Sequence, residues 1–118
     1  MESSSARRWW ALVPLLVCVT AFAQVEVPQL RSPVTDLTNT LTPQESQALD
    51  QKLRAFEQRK GSQVAVLIVP TTQPDAIEQY SIRVVERWQL GRQGIDDGVL
   101  LLVAKDDRAV RIEVGYGL

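Results

Sequence analysis

The hydrophobic positions of the chain follow two periods, one helical and one extended. Leu49, Leu53 and Phe56 recur at i, i+4 and i+7, which predicts one apolar helix face. The helix is predicted to start at Thr42-Pro43-Gln44-Glu45, where threonine caps, proline suits the first turn and glutamate completes a capping box. Arg59-Lys60-Gly61 predicts its end, because cations suit the last turn and glycine adopts a left-handed stop.

A second helix is predicted from Asp75, with Glu78 three residues later, to an end at Gly91. One side of it carries residues at helical spacing, namely Ile77, Ser81, Val84 and Trp88. Because Trp88 lies on this side, we interpret it as a core residue.

Two continuous apolar runs, Val64–Val69 and Val99–Ala104, predict strands buried on both faces. Residues 105–108 predict a hairpin turn. In the strand that follows, apolar residues alternate with charged ones, the period of a strand with one wet face: Val110, Arg111, Ile112, Glu113 and Val114.

The order strand, helix, strand predicts a right-handed crossover with two parallel strands. The hairpin then adds an antiparallel strand at the edge. The predicted fold class is therefore α/β: a β-α-β crossover with an added antiparallel hairpin strand, in a small mixed sheet covered by helices.

Residues 1–23 have the pattern of a signal peptide. Arg7 and Arg8 precede an apolar run over residues 11–19, which is shorter than the roughly 20 apolar residues of a membrane span. Ala21-Phe22-Ala23 gives the small-x-small pattern of a cleavage site, so we expect the mature protein to begin at Gln24. This predicts an exported protein, in the periplasm or at the outer face of the cytoplasmic membrane. An uncleaved N-terminal anchor is the alternative, and the bulky Val17 argues against lipidation of Cys18.

Cleavage would leave a mature chain without cysteine, and the whole sequence has no histidine. Removing residues 1–23 changes 13 basic and 14 acidic residues to 11 and 13, a net charge of −2. A disulfide, a thiol nucleophile, and thiolate or imidazole metal ligands are then excluded. No basic stripe indicates nucleic acid as a partner. Residues 24–41, with Pro28 and Pro33, predict an extended lead-in.

The candidate chemistry is acidic. Asp96 and Asp97 precede the second apolar strand, and Asp106 and Asp107 follow it, roughly 23 Å away at about 3.3 Å per residue. Asp36 precedes the first helix and could fold back against either pair. Oxygen ligands without histidine or cysteine suit Ca²⁺ or Mg²⁺, so Asp96, Asp97 and Asp36 are the candidate metal ligands. The alternatives are a plain turn at residues 96–98 and a solvated hairpin tip at residues 106–107.

Five blocks of the sequence stand in a distinctive order. They are Val34-Thr35-Asp36, Leu41-Thr42-Pro43-Gln44-Glu45, Gly61-Ser62-Gln63-Val64-Ala65-Val66, Asp96-Asp97-Gly98-Val99-Leu100-Leu101-Leu102 and Arg111-Ile112-Glu113-Val114-Gly115-Tyr116-Gly117-Leu118. Together they resemble the TPM domain family, over about residues 30–118. This family includes chloroplast proteins linked to photosystem II repair and exported bacterial proteins labelled YgcG-like. The chain departs from it at Asp97, where the family motif usually has asparagine.

The resemblance implies calcium binding and acid phosphatase activity, with which family members have been credited. Family domains also continue past the Gly-Tyr-Gly-Leu block, so we expect an incomplete domain at the C-terminal end. A C-terminal region beyond it could associate with a membrane.

Three functions follow as hypotheses. The first is an envelope-facing interaction or assembly module with an envelope protein as partner and a divalent cation, Ca²⁺ or Mg²⁺, as stabiliser. The second is a weak metal-dependent acid phosphatase, and the third is the ectodomain of a longer membrane protein. The sequence shows no nucleophile motif for phosphoryl transfer, which favours the first.

Overall fold

A computed structural model of the chain describes residues 23–118. Its elements are β1 (Val34–Asp36), α1 (Pro43–Lys60), β2 (Gln63–Val69), α2 (Ile77–Trp88), β3 (Gly98–Ala104) and β4 (Ala109–Val114). The strands form one sheet in the order β1-β2-β3-β4, in which the first three are parallel and β4 is antiparallel to β3. The predicted α/β fold with a mixed sheet and an added hairpin strand is confirmed. Within residues 23–118, no helix has the length and apolar character to cross a bilayer.

The first helix has both of its predicted ends. The Thr42 hydroxyl accepts a hydrogen bond from the Glu45 amide at 3.1 Å, and the Glu45 carboxylate accepts one from the Thr42 amide at 2.9 Å. Gly61 terminates α1 in the left-handed region at φ 82°. Because each of these signals acts within a few residues, the sequence was sufficient to predict α1.

The two helices cover opposite faces of the sheet. Side chains of α1 pack with Val66 and Ile68 of β2, whereas side chains of α2 pack with Ala65, Leu67 and Val69 of the same strand. The crossovers from β1 to β2 and from β2 to β3 step in the same direction across the sheet. Since their helices lie on opposite faces, the two crossovers have opposite hands, and one departs from the usual right-handed rule.

The second helix is shorter than predicted at both ends. It begins after Ala76, whose amide donates to the side-chain oxygen of Gln79 at 3.2 Å. Asp75 does not cap it, because its carboxylate instead accepts two hydrogen bonds from the Arg83 guanidinium, at 2.8 and 3.1 Å. The helix ends at Trp88, before a left-handed Gln89 at φ 51°, and not at Gly91.

The segment predicted as an extended lead-in is anchored to the fold and contains β1. The Tyr80 hydroxyl donates to the Glu26 carbonyl at 2.9 Å, and the Trp88 indole donates to the Pro28 carbonyl at 2.7 Å. Trp88 itself is 8% exposed, so its assignment to the core is confirmed. These bonds hold the lead-in along α2.

Among residues 23–118, only part of the α1 face of the sheet is covered. Helix α1 contacts β1 and β2, and the same face of β4 carries three exposed apolar side chains: Val110 at 63%, Ile112 at 60% and Val114 at 51% exposure. We call these three residues the β4 ladder. Large apolar side chains in a row on one exposed strand are a typical feature of contact surfaces.

Candidate functional site

A cleft of about 500 Å³ lies between α2 and the end of β4. Its lining includes the apolar residues Ile82 and Val85 of α2 and the acidic residues Glu86, Asp96 and Glu113. The cleft is lined by residues from both of the sequence blocks that carry the family resemblance most specifically, residues 96–102 and 111–118.

The two blocks touch through their backbones. The Gly115 amide donates to the Gly98 carbonyl at 2.8 Å, and the Gly117 amide donates to the Asp96 carbonyl at 2.9 Å. A Cβ atom added at Gly115 would overlap the Asp96 carbonyl oxygen, and one added at Gly117 would overlap that of Ile95. Both positions therefore require glycine, because only a residue without a side chain permits this approach.

Asp96 and Asp97 are neighbours with opposite environments. Asp96 adopts a left-handed backbone at φ 55° and borders the cleft. Asp97 is buried at 2% exposure, and its carboxylate accepts from the backbone amide and the Nε of Arg92, each at 2.7 Å. The backbone hydrogen bond from Arg92, together with its side-chain bond, holds the pKa of Asp97 below its usual value.

Arg92 is the residue that the sequence reasoning missed in this loop. Its guanidinium Nη2 also lies 2.7 Å from the Asp97 carboxylate, so both carboxylate oxygens have partners. Asp97 therefore fixes the shape of loop 91–98 from the inside. An acidic and a basic residue five positions apart were a signal for this pair, but the sequence did not indicate that the carboxylate turns inward.

Asp36 closes a turn at the end of β1. Its carboxylate accepts from the Leu41 amide at 2.8 Å, the Thr38 amide at 2.9 Å and the Thr38 hydroxyl at 2.8 Å. Partial burial by itself raises the pKa of Asp36. The hydrogen bonds to its carboxylate lower the pKa by a larger amount, so the pKa lies below its usual value.

The structure does not bring Asp36 to the other two aspartates. Asp36 pairs with Ile68, and Ile68 with Val103, so Asp36 is level with the far end of β3. Asp97 precedes the near end of β3, which is about 20 Å away at ~3.3 Å per residue. Asp36 therefore cannot share one ion with Asp96 and Asp97. A cation at Asp96 and Asp97 stays a prediction, and residues 23–118 contain no group of three or more acidic, histidine or cysteine side chains placed to hold a metal.

The hairpin tip is more ordered than a solvated turn. The Asp107 carboxylate accepts from the Thr71 hydroxyl at 2.8 and 2.9 Å and from the Thr72 amide at 3.1 Å. These bonds tie the β3–β4 hairpin to the segment after β2. Asp107 thus acts as a structural acceptor, and its exposed neighbour Asp106 remains at the tip.

A family model described as the TPM domain matches residues 34–118. The chain belongs to the TPM domain family. Among solved structures, the N-terminal domain of a P. gingivalis protein superposes with a TM-score of 0.70 at 26% identity, over 85% of this chain and 67% of that one. The N-terminal domain of the cg2496 protein from Corynebacterium glutamicum gives a TM-score of 0.63 at 13% identity, over 83% of this chain and 64% of that one, and supports the fold alone.

This TPM-domain chain spans about two thirds of the length of both solved domains. No curated protein sequence matches it. The resemblance inferred from the five sequence blocks is therefore confirmed at the level of family and fold.

Proposed function

We propose that this TPM-domain chain works outside the cytoplasm as a protein-interaction module. The observation that carries the proposal is the β4 ladder, Val110, Ile112 and Val114, each more than half exposed on a face that α1 covers only in part within residues 23–118. Burying a fully exposed side chain of this size contributes about 1.5–3 kcal/mol, so covering the exposed part of each of these three contributes roughly 1–2 kcal/mol to a binding free energy.

The chemistry of the described residues supports binding over catalysis. Residues 23–118 contain neither histidine nor cysteine. The side chain of Asp97, the more buried of the two loop aspartates, is occupied by Arg92. A general base aimed at a nucleophile is the arrangement that covalent catalysis requires. The contacts of the described residues are instead helix caps, turns and an ion pair between the buried Asp97 and the half-exposed Arg92.

Export rests on the N-terminal pattern, which lies outside the described residues. The charged start, the short apolar run and Ala21-Phe22-Ala23 predict cleavage before Gln24. N-terminal sequencing of the protein recovered from the cell envelope should give Gln24 as the first residue. Retention of residues 1–23 would instead favour an N-terminal anchor, and a lipid on Cys18 would favour a lipoprotein.

The interaction role is tested by photocrosslinking in cells that express the full chain. A benzoylphenylalanine replaces Ile112 on the ladder or Gln58, which is exposed on α1. We expect a discrete crosslinked species, identified by mass spectrometry, from position 112 and none from position 58. Absence of a crosslink at position 112 in exported protein would overturn the interaction role.

A second candidate, a divalent cation in the cleft that supports weak phosphatase activity, is favoured by one observation. The acidic residues Glu86, Asp96 and Glu113 line the same opening, so the cleft attracts a divalent cation through its oxygen donors, although no three acidic side chains among residues 23–118 are placed to hold a metal. A site without histidine or cysteine has to take its electrophile from the metal.

The test is a calcium titration followed by a phosphatase assay on the same sample. Asp96→Asn should reduce calcium affinity and any activity, whereas Asp106→Asn at the hairpin tip should leave both unchanged. EDTA should abolish activity. Unchanged calcium affinity in Asp96→Asn, or full activity in EDTA, would refute the cation proposal without affecting the interaction role.

A further inference from the structure

β4 is an edge strand whose outward backbone groups have no partner among residues 23–118. The Gly115 amide donates to the Gly98 carbonyl, which fixes the alternation along β4. Arg111 and Glu113 therefore direct their backbone groups toward β3, whereas Val110, Ile112 and Val114 direct theirs away from the sheet. The residues of the β4 ladder thus expose both an apolar side chain and a free backbone donor and acceptor.

The sequence of β4 is complementary to itself when two copies run antiparallel. Centred on Ile112, such a pair places Ile112 opposite the partner's Ile112 and Val110 opposite the partner's Val114. On the other face, Arg111 lies opposite the partner's Glu113, and Glu113 lies opposite the partner's Arg111. Cross-strand pairs of opposite charge and of β-branched residues both stabilise a sheet.

We propose that β4 pairs antiparallel with β4 of a second copy of this chain, about a two-fold axis at Ile112. The pairing would form about six hydrogen bonds from the outward groups of residues 110, 112 and 114. It would also place the Arg111 and Glu113 pairs at the non-hydrogen-bonded positions, where side chains are closest. Two four-stranded sheets would become one continuous sheet.

Among this register and those shifted by one or two residues, only this one both matches the hydrogen-bonding groups and avoids like charges at the centre of the pair. A shift by two residues in one direction sets Glu113 against the partner's Glu113, and in the other direction it sets Arg111 against the partner's Arg111. A shift by one residue mismatches the hydrogen-bonding groups and moves the apolar side chains to the wrong face. The strand also lacks the proline and lysine with which natural edge strands discourage pairing.

The inference goes beyond the interaction role proposed above. Edge pairing uses backbone groups that docking on the ladder face leaves free, and it joins two ladders into one larger apolar surface. A chain that stays monomeric but still crosslinks from position 112 would refute the pairing and leave the interaction role intact.

Sedimentation equilibrium of the full chain, from micromolar to millimolar concentration, tests the pairing. The wild type should be dimeric at the upper end. Arg111→Glu and Glu113→Arg each create two like-charge pairs across the dyad and should weaken dimerisation at least tenfold. The double variant Arg111→Glu/Glu113→Arg restores opposite charges and should restore the dimer. Lys52→Glu, the same charge change at an exposed position on α1, should dimerise like wild type.

A variant that keeps both charged residues of β4 is also needed, because Glu113 accepts from Ser81 at 2.9 Å and pairs with Arg111 of the same chain at 3.3 Å, so either charge reversal can disturb the fold. Ile112→Pro removes an outward donor and none toward β3, which edge strands tolerate. It should be monomeric with an unchanged circular dichroism spectrum.

Hydrogen exchange gives the position-specific result. In the dimer the amides of Val110, Ile112 and Val114 should become protected, whereas those of Arg111 and Glu113 are protected in monomer and dimer alike. A monomeric wild type, a dimer that the single charge reversals do not weaken, or a dimer in which these three amides still exchange freely would each overturn the proposal.

Discussion

Replacing Gly115 with alanine tests whether the contact between loop 95–98 and the end of β4 determines the geometry of the cleft. The added Cβ would lie well inside the closest separation that real Cβ atoms show from the Asp96 carbonyl oxygen, and 2.9 Å from the carbonyl carbon. The backbone therefore has to move, and the hydrogen bonds from Gly115 to Gly98 and from Gly117 to Asp96 weaken or break.

The cost follows from these contacts. Overpacking a close contact costs about 1–3 kcal/mol, and each lost hydrogen bond costs about 0.5–1.5 kcal/mol. Because relaxation relieves part of both, we expect Gly115→Ala to lower the free energy of unfolding by about 2–4 kcal/mol, a large share of the roughly 5–15 kcal/mol of a typical domain.

Urea denaturation followed by circular dichroism measures this loss. Gly94→Ala is the control, since nothing lies within 4 Å of its added Cβ and only the left-handed backbone at φ 81° opposes the change. We expect the control to lose about 1 kcal/mol. Equal midpoints for Gly115→Ala and wild type, or an equal loss in both variants, would refute the argument that close backbone approach requires this glycine.

The remaining predictions concern the core and the buried carboxylate. Leu67→Ala should lower the free energy of unfolding by about 2–5 kcal/mol, because Leu67 is fully buried, whereas Ile82→Ala, at 48% exposure, should cost less than about 1 kcal/mol; urea denaturation compares them, and equal losses would contradict the assigned core. Asp97→Asn should destabilise the domain at neutral pH and flatten its acid dependence. Because the pKa of Asp97 is lowered in the fold, its contribution is present above the unfolded pKa and is lost as pH falls through the folded pKa; thermal melts from pH 7 to acid pH check this, and parallel curves for variant and wild type would contradict it. Tyr80→Phe should cost about 1 kcal/mol and speed amide exchange in residues 24–30, since the hydroxyl anchors Glu26; unchanged exchange there would show that the lead-in is held by other contacts.

Local signals were read correctly from the sequence, and signals that depend on distant partners were not. The capping box at Thr42 and the stop at Gly61 are complete within α1, and the alternation of β4 is visible in six residues. The predicted start of α2 was wrong because the Asp75 carboxylate binds the guanidinium of Arg83, further along the helix, instead of capping the first turn. Strand β1 was missed because three residues have too weak a pattern, and their extended conformation is fixed by pairing with β2.

The candidate site shows the same division. That Asp96 and Asp97 lie together follows from their adjacency, but their opposite environments depend on the turn that directs one carboxylate to Arg92. The distance of Asp36 follows from the register of three strands, which the sequence does not specify. The need for glycine at positions 115 and 117 arises from close contact with loop 95–98, which the sequence alone does not indicate.

Cysteine labelling in cells tests the central proposal, an exported interaction module, most directly. In a Cys18→Ser background, Ile112→Cys and Gln58→Cys are treated with a membrane-impermeant maleimide on spheroplasts and, in parallel, on purified protein. The account predicts that both positions react in the purified protein at low concentration, but that only position 58 reacts on spheroplasts, because a partner covers position 112. Failure of position 58 to react on spheroplasts would contradict export, and equal reaction at both positions there would contradict a covered ladder.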